Sequence, residues 1–62
     1  MTLDSELEEK ARNLEAQAKS AEKNRNFDIA AKLYRQAAEA YDRAGWGIQS
    51  ETCYKIAETI ED

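Results

Sequence analysis

Leu7, Ala11, Leu14, Ala18 and Ala21 recur at intervals of four, three, four and three, and charged or polar residues fill most positions between them. That interval keeps one face of a helix apolar, so the pattern predicts a helix over about residues 5–23. Ser5 followed by Glu8 has the spacing of a capping box, in which the hydroxyl and the carboxylate each accept from a free backbone N–H. Glu6, Glu8 and Glu9 suit the positive end of the helix dipole, and Lys19 and Lys23 suit the negative end. Met1 to Asp4 read as a short lead-in, with Leu3 tucked under the helix. Asn24 is the residue expected to take the left-handed turn, and Asn26 the cap of the next helix.

The second element is FDIAAKLYRQAAEAYDRA, about residues 27–44, closed by Gly45. Phe27, Ala30, Tyr34, Ala37, Tyr41 and Ala44 form one stripe, and Leu33, Ala37, Ala40 and Ala44 a second. A helix apolar over so much of its circumference needs a neighbour on two sides. After the break at Gly45, Trp46 and Gly47, a third helix over about residues 47–60 presents Ile48, Thr52, Cys53, Ile56, Ala57 and Ile60. Ser50 is an alternative N-cap for it. Three residues between helices enforce antiparallel hairpins, so the expected fold is all-α: one domain, residues 1–62, in a three-helix up-down-up bundle. Its large core groups would be Leu3, Leu7, Leu14, Phe27, Ile29, Leu33, Tyr34, Tyr41, Trp46, Ile48, Ile56 and Ile60. That is a thin core, because alanine buries little area.

Composition narrows the function by exclusion. The formal charge of −4 argues against a nucleic-acid binder, whose affinity rests on basic contacts to phosphate. No apolar run approaches a membrane span and no leader opens the chain, so the expected location is cytoplasmic. With no histidine and one cysteine, Cys53, the chain lacks a zinc set and a Cys–His nucleophile. Cys53 lies in an apolar stripe and reads as a small buried hydrophobe. Glu15 with Glu22 reads as solvent-facing charge, and Tyr34 and Tyr41 as core-edge phenols. The expectation is a non-enzyme with no catalytic residue, cofactor or metal.

One resemblance is carried by Leu14, Ala18, Phe27, Ala30, Tyr34 and Ala37. This order of large and small residues resembles the tetratricopeptide repeat (TPR). FDIAAKLYRQAAEAYDRAGW followed by SETCYKIAE is similar to the variant repeats of soluble NSF attachment proteins. Ala21 and Arg25 stand where the repeat usually has a large residue and a glycine. Lys19 fits one basic clamp position of the family, and Glu15 replaces another. The run Ala18, Glu22, Asn26-Phe27, Ala30, Leu33-Tyr34 and Ala37 also resembles the microtubule-interacting and trafficking (MIT) domain, a three-helix bundle. Both resemblances imply a scaffold that holds a peptide or helix of a partner protein.

The functional expectation is thus a protein-interaction module, an adaptor with its groove beside helices one and three. Arg12, Ala16, Lys19 and Lys23 follow helical spacing and would give that groove a basic strip; Trp46 and Tyr54 would be aromatic anchors. The alternative is a structural or assembly module, acting by weak self-association or by capping a helical-repeat array.

Overall fold

The computed structural model describes residues 3–61, with side chains from residue 5 onward. Three helices account for nearly all of it: α1, Leu3–Lys23; α2, Phe27–Arg43; and α3, Gly47–Glu61. Leu3 and Asp4 are helical rather than a lead-in, which places Ser5 inside α1 instead of at its N-cap. The capping box is therefore not formed: Ser5 no longer precedes the first helical residue, where a side-chain acceptor is needed. The proposed packing of the Leu3 side chain lies outside the described residues.

The two breaks are built alike. In the first, the Asn26 N–H donates to the Ala21 carbonyl at 2.9 Å and the Arg25 N–H to the Glu22 carbonyl at 3.0 Å. In the second, Trp46 donates to Tyr41 at 2.8 Å and Gly45 to Asp42 at 3.1 Å. Each is a Schellman closure, which satisfies carbonyls at the helix end and reverses the chain. The closure needs one left-handed residue. Gly45 supplies it at φ 86, as expected, but in the first break Arg25 takes it at φ 62, not Asn24. The motif decides this, because the left-handed residue must stand one place beyond the C-cap, and Asn24 occupies the C-cap itself. Asn26 begins α2 through its backbone, its carbonyl accepting from Ala30 at 2.8 Å, without the expected side-chain cap. Trp46 does the same for α3 by accepting from Ser50 at 3.0 Å, so Ser50 is a buried residue of α3 and not its N-cap.

α2 packs against both other helices, while α1 and α3 touch each other only marginally. The core follows from this layering. Ala30, Ala31, Ala37, Ala38 and Ala40 of α2 are buried, and so are Ala11, Ala18 and Ala21 of α1 and Cys53 and Ala57 of α3. Tyr34 and Tyr41 are the large buried groups, only 2% and 4% exposed. Leu14, Leu33, Trp46, Ile56 and Ile60 close over the core from its margin.

Three residues expected in the core lie outside it. Phe27 opens α2, adjoining the turn where α1 has already ended, and remains 46% exposed. Ile29 shares its face with exposed Lys32 and Gln36 and is 55% exposed. Ile48 shares its face with exposed Glu51, Thr52 and Lys55 and is 81% exposed. In each case, helical spacing put the side chain near the apolar stripe, but no neighbouring helix covers it.

Candidate functional site

The α1 face toward α3 carries Glu8, Arg12, Glu15, Lys19 and Glu22, again at intervals of four, three, four and three. Arg12 pairs with Glu8 at 2.7 Å, and Lys19 approaches Glu15 at 3.7 Å. The expected basic strip is therefore an alternating one, with an acid one turn before each base. Ala16 and Lys23 are exposed, and both lie outside these pairings.

Beneath that strip, two phenols of α2 reach across to α1. The Tyr41 hydroxyl donates to Glu15 Oε1 at 2.7 Å, and the Tyr34 hydroxyl to Glu22 Oε1 at 2.9 Å. Glu15 and Glu22 are thus not idle surface charges; each is an acceptor for a buried phenol, which would otherwise lose hydrogen bonding on leaving water. Burial first, then the adjoining carboxylate, pushes both phenols up to about 12, since each disfavours a phenolate. The tyrosines and the glutamates are each seven residues apart, and the two rungs run in opposite chain directions. A signal existed in the sequence: heptad-spaced acids on one helix and heptad-spaced phenols on an antiparallel one.

Trp46 closes the other end of the strip. Its ring centroid lies 6.4 Å from that of Tyr41, and the Arg12 guanidinium carbon stands 5.9 Å from the centroid of Trp46. Trp46 is partly buried against the core, a lid on the bundle end and not a free anchor. Tyr54 is exposed, but it sits on another surface, beside Lys32, Arg35 and Glu39 in the crevice between α2 and α3. The six candidate residues therefore do not converge. Arg12 and Trp46 meet, Lys19 stands on the same strip, and Tyr54 belongs to a separate crevice.

Farther along, α1 and α3 leave a groove of about 360 Å³. Glu22 forms one wall, and Thr52, Ile56, Thr59 and Ile60 the other, with Lys55 at the rim. The threonine hydroxyls are satisfied within α3: Thr52 donates to the Ile48 carbonyl at 3.0 Å and Thr59 to that of Lys55 at 2.9 Å. What the groove offers a ligand is consequently two isoleucines, one carboxylate and, at the rim, the Lys55 ammonium. A second crevice, between α1 and α2, exposes Leu7 and Leu14 among Lys10, Gln36, Glu39 and Arg43, and is more polar in its lining.

Cys53 is buried, and burial, with the negative charge of Glu15, pushes its thiol up. Among the described residues, no group of three potential metal ligands comes together. No helix among them is long and apolar enough to cross a membrane. Compared with known proteins, the chain matches no family model, no curated protein and no solved structure.

Proposed function

We propose that this chain is a cytoplasmic, non-enzymatic interaction module of tetratricopeptide type, which holds a helical segment of a partner protein between α1 and α3. The observation that carries the reading is the groove itself. α2 spaces the two outer helices, and Ile56 and Ile60 line the opening that results. A helix laid in a groove of this kind buries its apolar face against such residues. The resemblance to tetratricopeptide repeats supports the same use of the scaffold, and so does the resemblance to MIT domains. Affinity capture with the whole chain, compared with Ile60→Ser and with Ile29→Ser on the outer face, tests it. The expected outcome is a partner lost with Ile60→Ser alone, while thermal melts show both variants folded. Retention of every captured protein by Ile60→Ser would discard the groove.

The exposed ends favour a second reading, assembly through self-association. Phe27 and Ile29 lie at one end of the molecule and Ile48 at the opposite end. Joining unlike ends is a heterologous contact, which propagates into an array. Sedimentation at micromolar concentration separates the two readings, since growing oligomers without ligand belong only to the second.

A further inference from the structure

α3 is the least supported of the three helices. It is the shortest, with 15 residues, and a helix of that length is marginal in water without packing. α2 opens on Asp28 and closes on Arg43, and α1 closes on Lys23, so these dipole ends meet opposite charge. α3 has no acid in its first turn and no base in its last, where Glu58 and Glu61 stand instead. Its buried side chains are small: Ser50, Cys53 and Ala57.

The ties of α3 also differ in kind from those of α1. Two part-buried phenol–carboxylate hydrogen bonds join α1 to α2. Among the described residues, one side-chain pair joins α3 to the rest, Arg35 with Glu61, and both partners are exposed, so water weakens it. The hydroxyls of Thr52 and Thr59 turn back on α3 itself. Because α1 and α3 touch only marginally, release of α3 disturbs little beyond its packing on α2. Gly47 supplies the bend. Trp46 before it is held beside Tyr41 and Arg12, whereas nothing crowds Gly47 within 4 Å of where a side chain would begin.

We infer that α3 is a detachable arm: hinged at Gly47, it leaves α2 as a unit and unwinds while α1 and α2 stay paired. Opening of one cooperative unit ahead of the whole chain is the general behaviour of the least stable element of a fold. Release carries Ile56 and Ile60, one wall of the groove, away from Glu22. It also uncovers Cys53, which is only 1% exposed while α3 is docked.

The test follows alkylation of Cys53 in the full chain by iodoacetamide, read by mass. Labelling is expected to run about tenfold or more faster than the globally unfolded fraction from urea melts allows. Ala16→Gly on the exposed side of α1 raises that unfolded fraction about fivefold, and labelling is expected not to follow it. Lys55→Gly on the exposed side of α3 is expected to speed labelling about threefold. Labelling that matches the unfolded fraction, or that rises with Ala16→Gly, makes unfolding of the whole chain the route and overturns the arm. A rate untouched by Lys55→Gly overturns it too, since Cys53 then reacts without release of α3. Amide exchange on the unaltered chain answers without any variant. Faster exchange throughout α3 than in the buried stretches of α1 and α2 is expected, and equal protection of all three helices overturns the inference.

Discussion

Tyr41 of α2 donates to Glu15 of α1 at 2.7 Å, and this contact, repeated by Tyr34 and Glu22 one heptad away, locks the register of the first hairpin. An alanine-rich interface has few features with which to resist sliding, because alanine knobs are alike. Two directional hydrogen bonds to charged acceptors supply what the alanines lack. A double-mutant cycle with Tyr41→Phe and Glu15→Ala is expected to return a coupling of about 1–2 kcal/mol in urea unfolding. Additive effects would reduce the contact to incidental proximity.

The same phenols predict an alkaline limit. Burial and the carboxylate acceptors push both up to about 12 in the folded chain, against 10.0 for a phenol in water. A raised folded value means that the native state holds the proton more tightly. This contribution is fully present below pH 10 and disappears as pH rises through about 12. A chain this small has only roughly 3–9 kcal/mol of stability in all, so loss of both contributions weakens the fold. Melting curves across that window should show steep loss of helicity, and Tyr34→Phe with Tyr41→Phe should flatten it.

Arg25 holds a left-handed backbone conformation that a side chain disfavours. Arg25→Gly is expected to leave the fold intact and change stability by a gain of about 0.5–1 kcal/mol, relief of strain outweighing the added freedom of the unfolded chain. Gly45→Ala at the equivalent place in the second break should cost about 1 kcal/mol or more. Although the space around Gly45 is open, its φ of 86 is unfavourable for alanine. Urea midpoints measure both.

Ala37 and Ala18 are fully buried where α2 meets its neighbours. Enlarging either to leucine is expected to push the helices apart and cost about 1–3 kcal/mol. Exposed Ala16 is the control: Ala16→Leu should alter stability by less than about 0.5 kcal/mol. Equal effects at buried and exposed positions would contradict the close approach of α1 and α2.

Arg12 touches both Glu8 and Trp46. Arg12→Ala should therefore shift the emission of Trp46, the single tryptophan, while costing no more than about 1 kcal/mol, since the ion pair is exposed to water. Unchanged emission would separate the guanidinium from the ring.

The apolar repeat of α1, the two alanine stripes of α2 and the position of Gly45 were legible in the residues, because helical periodicity and turn chemistry are local properties. Three helices and their order follow from them. Which apolar residues lie outside the core was not local: Ile29 and Ile48 stay exposed because no third helix reaches their faces. Nor was the site. Arg12, Lys19, Trp46 and Tyr54 share no sequence neighbourhood, and the structure assigns Tyr54 to a different crevice from Arg12 and Trp46. Glu15 and Glu22 gained their roles only when antiparallel packing brought the phenols of α2 beneath them. Sequence by itself determined the helices and their faces, since these arise from contacts within one or two turns. Tertiary structure decided which charges are paired and which groove stays open, since both depend on how far α2 holds α1 from α3.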